Sequence, residues 1–424
     1  MLKTKNELFI AGLFIAIVAM EVWMLGFESR MSLNCSSAFF SAAACYDYGQ
    51  GFNIDPDQIK EFVHLPDEQR NAYSFSDSAN TVRYNHNPIG YAYFIMLARA
   101  VFFFAGDIVA ISLLQVAVHV LICLYIFSKL NGTLKRAAFL LFYSTNPIIL
   151  LTCLTCFYYF WQVFASLSIL ILLLNRQAIE RLGRNKRILL ISLISAVNGL
   201  VLTTRPTVVL AVIFFWILCV CYKYWIEAVC GILCAVAVFF LLFYPTAKHP
   251  WHTACVGIAA YSNPYDLKFS DSQGYRIYEQ ITGKKLDDSI TRGYIGNYYD
   301  DDVAKDYARI MKQYYMDFLK SHPLTALRNT SLNVLQGYSI GYTNGLPMWA
   351  YYINAAIGII TILMLLYTRQ YVLFLAIGLI SGTFTLFYPP HPSYLFGAYI
   401  MLVIGWLNGI EEITRRKPTS FLPR

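Results

Sequence analysis

The sequence predicts an all-α, polytopic membrane protein with about ten transmembrane helices. Of its 424 residues, 57% are hydrophobic and only 14% are charged, and they include 32 tyrosines and 30 phenylalanines. A soluble domain of this length does not need so much apolar surface. The apolar residues also gather in runs of roughly 20, which is the length that crosses a bilayer as a helix. The chain is therefore expected to be integral to a lipid bilayer.

Ten apolar runs are predicted to be transmembrane helices. They cover residues 8–26, 106–128, 137–153, 157–175, 188–204, 207–222, 226–246, 348–367, 371–388 and 394–410. The first run lacks a small-residue cleavage pattern at its end, so we interpret it as a retained helix rather than a signal peptide. The sequence shows no internal repeat of the kind from which many transporters are built.

Basic residues between the runs indicate the orientation. With the N-terminus in the cytoplasm, every basic cluster between runs lies on the cytoplasmic side, as the positive-inside rule requires. These residues are Lys129, Lys135, Arg136, Arg176, Arg181, Arg184, Lys186, Arg187, Lys223, Arg369, Arg415, Arg416 and Lys417. The net charge of +8 is thus attributed to membrane orientation and not to nucleic-acid binding. This orientation requires residues 88–104 to form a helix that lies at, or dips into, the outer interface.

Two long polar segments divide the chain. Residues 1–246 form a transmembrane module whose first extracytoplasmic loop is 27–105, residues 247–346 form a second extracytoplasmic loop, and residues 347–424 carry the last helices and a cytoplasmic tail. The second loop contains an expected amphipathic helix from about Asp302 to Ser321, which Pro323 ends. Its apolar face is formed by Tyr307, Ile310, Met311, Tyr314 and Phe318.

Most of the ten cysteines lie inside apolar runs, but two lie in the first long polar loop. Cys35 and Cys45 are both in the first loop, where a disulfide can form if that loop is extracytoplasmic. No cysteine or histidine spacing indicates a zinc site. The sequence leaves the cofactor unknown, with a divalent cation as one option.

The stretch VLTTRPTVVL, residues 201–210, places Arg205 between two apolar runs. In the orientation above, Arg205 lies at the outer interface, where a guanidinium can bind a phosphate with two hydrogen bonds. The alternative is an arginine whose side chain extends to lipid headgroups.

Other polar residues gather on the same predicted face. The segment 249–275 follows the seventh run and contains His252, Asn263 and Asp271, which could contact a lipid headgroup or a sugar. An ordinary solvated loop is the alternative. The segments RYNHNPIGY and YPPHPSY add Arg83, His86 and His391 to this face.

Two acids of the first loop are candidates for a general base. Glu28 comes directly after the first run, in FESR, and Asp47 lies in CYDYGQGF. A carboxylate at the mouth of a membrane cavity can remove a proton from a substrate hydroxyl. For either acid alone, a solvated surface carboxylate is the alternative.

Three stretches resemble the GT-C glycosyltransferases, the membrane class related to dolichyl-phosphate-mannose mannosyltransferases and aminoarabinose transferases. They are YDYGQGF with the following NPIGYAYFIMLARAVFFFAGD, then FYSTNPIILLTCLTC, then VNGLVLTTRPTVVL, and their order matches over about residues 8–250. The resemblance implies a polyprenyl-phosphate sugar as donor and transfer on the extracytoplasmic face. The family's first loop supplies an acidic general base, but here that position falls near Cys35, with no acid.

The resemblance yields a mechanistic hypothesis. Arg205, with Arg83 or His252, holds the leaving phosphate, and Glu28 or Asp47 removes the proton of the acceptor hydroxyl. His86, Asn263, Asp271 and His391 are then the expected substrate-binding residues. The acceptor is a glycan or a lipid, and a bacterial inner membrane is the expected location. The absence of a GxGxxG or Walker pattern fits a donor that carries no nucleotide.

Two other functions remain open from the sequence. An O-antigen polymerase or ligase would use diphosphate-linked glycans, and its outer loops would also carry essential arginines. A lipid-linked glycan flippase or transporter would need polar residues inside the helices near the middle of the membrane. The predicted helix interiors are almost free of them, which favours chemistry at one surface.

Overall fold

The computed structural model consists almost entirely of α-helices. It describes residues 5–26, 33–85, 88–246, 250–265, 267–270, 272–284, 301–339, 347–390 and 394–415. The first part comprises α1 (Lys5–Leu25), α2 (Leu33–Asp47), β1 (Asn53–Ile54), α3 (Pro56–His64), α4 (Asp67–Arg70), β2 (Val82–Arg83), α5 (Gly90–Val101) and α6 (Asp107–Lys129). The two strands pair antiparallel, with Asn53 opposite Arg83.

The middle part is rich in interrupted helices. It comprises α7 (Thr133–Phe139), a π-helix (Leu140–Ser144), α8 (Pro147–Leu154), a 3₁₀-helix (Tyr158–Gln162), α9 (Val163–Leu174), α10 (Arg176–Glu180), α11 (Arg184–Thr204), a second 3₁₀-helix (Pro206–Val208), α12 (Val209–Cys221) and α13 (Trp225–Leu242). The last part comprises α14 (Pro250–Ile258), α15 (Ser272–Thr282), α16 (Asp301–Ser321), α17 (Pro323–Gly337), α18 (Met348–Tyr367), α19 (Tyr371–Thr385) and α20 (Phe396–Arg415).

Six helices, α1, α6, α11, α13, α18 and α20, are long and apolar enough to cross a membrane. The stretch from α7 through the π-helix, taken together with α8, is also long and apolar enough, but it is bent by 49° where the two parts meet. These helices make the chain an all-α, multi-pass membrane protein. The predicted runs 157–175, 207–222 and 371–388 fold as apolar helices of 10–17 residues. The number of ten crossings therefore stays a prediction.

The segment 88–104 folds as the short helix α5. With 12 residues it is about 18 Å long, well short of a hydrocarbon layer of roughly 30 Å. Phe103 and Phe104, just beyond its end, are 84% and 73% exposed. A helix of this length with exposed aromatic rings at one end is compatible with the predicted position at the interface.

A polar stripe on α6 faces the interrupted segment. The Gln115 amide donates hydrogen bonds to the carbonyl oxygens of Cys153 (2.7 Å) and Thr155 (3.1 Å), and His119 Nε2 lies 3.0 Å from that of Ser144. Breaks in a membrane helix free such carbonyls, and neighbouring polar side chains must satisfy them. The helix interiors, which were expected to be almost free of polar groups, thus contain Gln115 and His119 in α6. Both have hydrogen-bond partners within the described part of the chain.

Ion pairs join three segments that are distant in sequence. Arg136, at the start of α7, pairs with Glu7 of α1, and Lys135 Nζ lies 2.7 Å from a carboxylate oxygen of Glu411 in α20. The beginning of α1, the beginning of α7 and the end of α20 therefore lie on one side of the molecule.

The helices α14, α15 and α16 pack around a small core of their own. The amphipathic face predicted for α16 is confirmed, since Tyr307, Ile310, Met311 and Phe318 are buried in this core and Tyr314 packs against it. The observed bounds, Asp301–Ser321, agree with the expected ones, and Pro323 begins the next helix instead of merely ending this one. The apolar face thus packs on protein.

Gly358 should not tolerate a side chain. A Cβ at this position of α18 would lie 2.7 Å from the carbonyl carbon of Leu335 in α17, and closer still to its oxygen. We expect Gly358→Ala to push the two helices apart and destabilise the fold by about 1–3 kcal/mol, measured by thermal unfolding in detergent. Gly382→Ala is the matched control, since its Cβ would meet only Leu210 Cδ1, at 3.7 Å. Equal melting temperatures of the two variants would contradict this packing.

Candidate functional site

Arg205 occupies the junction between α11 and the following 3₁₀-helix. The residue before a proline is disfavoured in the α conformation, and Arg205, which precedes Pro206, has φ −139° and ψ 81°. The helix therefore ends at Thr204, and the guanidinium leaves the helix axis. Proline suits the first turn of the helix that follows.

Three tyrosine rings surround the guanidinium. Its carbon lies 5.3 Å from the ring centroid of Tyr158, 5.0 Å from that of Tyr159 and 4.6 Å from that of Tyr394. Tyr158 and Tyr159 belong to the 3₁₀-helix before α9, and Tyr394 precedes α20. We call Arg205 and these three residues the arginine cage. Such ring contacts stabilise a cation by roughly 0.5–2 kcal/mol each.

The cage buries a charge that no acid among the described residues neutralises. Arg205 is only 8% exposed, and its Nη1 donates one long hydrogen bond, of 3.4 Å, to the hydroxyl of Tyr158. Within the described part of the chain, Arg205 Nε has no hydrogen-bond partner, and no carboxylate forms an ion pair with the guanidinium. A buried cation of this kind is normally paired. The arrangement therefore favours an anionic ligand with several acceptor oxygens.

Two of the stretches that carry the family resemblance meet at the cage. A Cβ on Gly90, in NPIGY, would lie 2.5 Å from Thr203 Oγ1 and 2.6 Å from the Thr203 carbonyl carbon, in TTRPT. Only glycine allows the start of α5 to approach the end of α11 so closely.

The start of α2 reaches the same place. The ring centroid of Phe39 lies 6.0 Å from that of Tyr158 and 5.8 Å from that of Tyr84. The Ser36 hydroxyl donates a hydrogen bond to the carbonyl oxygen of Cys156. The N-terminal half of α2 therefore packs directly behind the cage.

Asp47 lies at the opposite end of α2 and has a partner. Arg99 of α5 donates to its carboxylate at 2.7 Å and to both carboxylate oxygens of Asp107, each at 2.6 Å. Eight residues of helix, about 12 Å, separate Asp47 from Phe39. The structure thus places Asp47 in an ion cluster that joins α2, α5 and α6. Glu28 lies outside the described residues.

Arg83 is not brought to the cage. Its Nε donates to the hydroxyl of Tyr244 at 3.2 Å, and its guanidinium lies over the Tyr244 ring at 5.4 Å. The side chain is exposed, beside the end of α13. The described hydrogen bonds of Arg83 are therefore made to Tyr244 and Pro245 and not to the arginine cage. His86 lies outside the described residues.

His252 lies within the core formed by α14, α15 and α16. Its Nδ1 is 2.6 Å from the hydroxyl of Tyr307, and its ring stacks on Tyr275 at 5.3 Å. Asn263 shapes the loop after α14, since its side-chain oxygen accepts from the backbone N–H groups of Tyr265 and Leu267. These contacts give both residues a structural role. Asp271 and His391 lie outside the described residues.

Asp55, which the sequence analysis did not single out, is the buried acid of the first loop. Its carboxylate caps α3, accepting from the backbone N–H groups of Asp57 and Gln58. Burial alone would raise the pKa of Asp55, but hydrogen bonds, chiefly from Ser78 and Gln58, outweigh it and lower the pKa. A cap with lowered pKa is a poor proton acceptor, so Asp55 is not a candidate base.

The disulfide between Cys35 and Cys45 does not form. Both residues belong to α2, and ten helical positions put their Cα atoms about 15 Å apart, far beyond the reach of a disulfide. Cys45 is a free, buried thiol, and burial raises its pKa to about 11. Across the described residues, no group of three or more His, Cys, Asp and Glu side chains could hold a metal ion.

The sequence analysis did not identify the cage tyrosines, Arg99 or Asp107 as site residues. Arg99 lies inside the apolar segment 88–104 and Asp107 just after it, and charges in such positions are a signal that something must pair with them. The tyrosines carried no comparable signal, because 32 are present.

No protein-family model, no curated protein and no solved structure matches this chain. The likeness to GT-C enzymes therefore depends on the quoted stretches alone. The geometry of the arginine cage is independent of that likeness.

Proposed function

We propose that this protein is a membrane glycosyltransferase of the GT-C type. It transfers a sugar from a polyprenyl-phosphate carrier to an extracytoplasmic glycan or lipid acceptor, in a bacterial inner membrane. The observation that carries the proposal is the arginine cage, a buried guanidinium without a carboxylate partner among the described residues. The phosphodiester of this donor, and the phosphate monoester that leaves, supply the charge and the oxygens that such a site lacks.

The proposed topology has ten crossings and places both long loops outside. Contacts of Glu7 with Arg136 and of Lys135 with Glu411 support a common side for segments that the positive-inside rule assigns to the cytoplasm. Arg205 lies at the far end of α11, whose 21 residues span about 31 Å from the basic start of that helix. This separation supports an extracytoplasmic position for the cage.

The proposed reaction is a single displacement. The acceptor hydroxyl oxygen forms a bond to the anomeric carbon, the bond from that carbon to the phosphate oxygen breaks, and the polyprenyl phosphate leaves with the electron pair. A carboxylate takes the hydroxyl proton. Arg205 binds the phosphate oxygens and stabilises the negative charge that grows on them as the bond breaks, which accelerates the step rather than only tightening binding.

Amide variants of the two candidate bases should differ sharply in their transfer activity. The carboxylate of Asp47 is already bound by Arg99, so Asp47→Asn should retain most of the transfer activity. Glu28 precedes the end of α2 that packs behind the cage, and Glu28→Gln should lower transfer by roughly 10²–10⁴-fold, the usual contribution of a general base. Initial rates at equal protein levels measure both effects. Full activity of Glu28→Gln would remove Glu28 from the mechanism.

The proposed function is tested by offering three labelled donors to membranes that contain the protein. They are a polyprenyl-monophosphate sugar, a polyprenyl-diphosphate glycan and a nucleotide sugar. We expect label in a glycan or lipid product from the monophosphate donor only. Transfer from the diphosphate donor would instead favour a polymerase or ligase. Absence of transfer from all three, with folded protein present, would reject the enzyme.

A further inference from the structure

A second concave site lies on the separate core of α14, α15 and α16. It is an open cleft of about 500 Å³ between the end of α15 and one side of α16. Small-molecule sites usually enclose roughly 300–1,000 Å³, so the cleft is large enough for a short oligosaccharide. Its polar lining includes Thr282, Asp306, Arg309, Gln313, Asp317 and His322.

The imidazole of His322 is held in place without using its nitrogens. Its ring lies 4.3 Å from that of Tyr265 and 5.0 Å from that of Phe318. Tyr265 is itself within 3.3 Å of the Thr325 hydroxyl, which fixes the ring on which His322 rests. Neither His322 nitrogen has a hydrogen-bond partner in the described structure, so the imidazole keeps a donor and an acceptor for a ligand in the cleft that it lines.

Other groups of the lining are similarly available. The Gln313 amide makes no hydrogen bond to another described residue. Asp317 has only a loose, solvent-exposed contact with Lys320, at 3.8 Å. Tyr314, which is half-buried and also lines the cleft, offers an aromatic ring beside these polar groups. Alternating donors, acceptors and an aromatic ring match the hydroxyl groups and apolar C–H faces of a sugar.

The charges of the cleft are largely paired. Arg309 donates to Asp306 at 2.6 Å, and the Tyr278 hydroxyl donates to the other Asp306 oxygen at 3.1 Å. The Arg309 guanidinium lowers the pKa of Asp306, which keeps this pair ionised. A site with its arginine already bound to a carboxylate does not suit a phosphate. It suits an uncharged polar ligand.

We infer that this cleft binds a neutral glycan, with Gln313, Asp317 and His322 bonded to its hydroxyl groups and Tyr314 against a sugar face. The identification of this glycan as the acceptor rests on the proposed function, whereas the binding itself does not. The site is built on different helices from the arginine cage, so each can be removed without the other.

The test measures binding of neutral oligosaccharides to the full-length protein in nanodiscs. The probes are oligomers of glucose, galactose, mannose and N-acetylglucosamine with two to four units, and a sulfated disaccharide serves for comparison. Saturation-transfer NMR detects their binding. We expect at least one neutral oligomer to bind. The double variant Gln313→Ala, His322→Ala should weaken that binding about tenfold or more, the effect of losing two hydrogen bonds.

Three further variants make the result decisive. Gln313→Trp fills the cleft from an exposed position and should block binding even if the double variant is unstable. Lys312→Ala, on the same helix but outside the lining, should bind as the wild type does. Arg205→Met should also retain binding, which separates this inference from the transfer reaction. Absence of neutral-glycan binding, preference for the sulfated sugar, or unchanged affinity in both cleft variants would overturn it.

Discussion

Arg205→Met is expected to lower the rate of sugar transfer by about a hundredfold or more. Removing one preorganised charged donor from the place where charge develops typically has an effect of this size. Methionine keeps most of the volume inside the three tyrosine rings, so the cage should remain packed while its charge is lost. The initial rate with a labelled polyprenyl-monophosphate sugar, normalised to protein level, measures the effect.

Arg205→Lys separates charge from shape. An ammonium keeps the positive charge but lacks the planar fork that binds two phosphate oxygens at once. We expect a rate between those of the wild type and Arg205→Met. Arg328→Ala is the control, because this exposed arginine bonds the carbonyl oxygen of Ser262 and does not contact the cage. Wild-type transfer by Arg205→Met would show that the cage is only structural.

Arg99→Met is expected to cause the largest loss of stability. It would leave Asp107, whose side chain is 11% exposed, and Asp47 without their shared counter-charge. Removing one partner of a buried ion pair usually costs about 3–5 kcal/mol, and the partial exposure of Arg99 puts this site near the lower end. Thermal unfolding in detergent, followed by size-exclusion chromatography, should show a clear fall in melting temperature.

A surface ion pair provides the comparison. Arg176 pairs with Glu180 one turn away on an exposed helix, and such pairs add little to stability. Arg176→Met should therefore melt close to the wild type. If Arg99→Met also had a melting temperature close to that of the wild type, the cluster of Asp47, Arg99 and Asp107 would not hold α2, α5 and α6 together.

The helices were largely predictable because membrane spans are set by local composition. Each predicted run corresponds to a helix or an interrupted pair of helices, and the amphipathic face of α16 followed from its spacing. The first loop was less predictable. Its stretch SSAFFSAAAC, residues 36–45, is buried in α2, where small residues allow close packing, although the sequence analysis placed it in a polar loop.

The site was predictable only in part. Arg205 was identified because a charge between two apolar runs needs an explanation. Its contacts with Tyr158 and Tyr394 join residues 47 and 189 positions away in sequence, and such contacts depend on how the helices pack. For the same reason, the partner of Asp47 and the contact of His252 with Tyr307 could not be predicted from neighbouring residues.

The independent core of α14, α15 and α16 has a practical consequence for engineering. Its apolar side chains form a cluster separate from that of the spanning helices, but α14 also packs closely on the chain after α19, where a Cβ on Gly257 would clash with the Phe387 carbonyl. A chimera that exchanges this cluster must therefore keep Gly257, and under the proposed function it would change the acceptor while the lipid-linked donor stays the same.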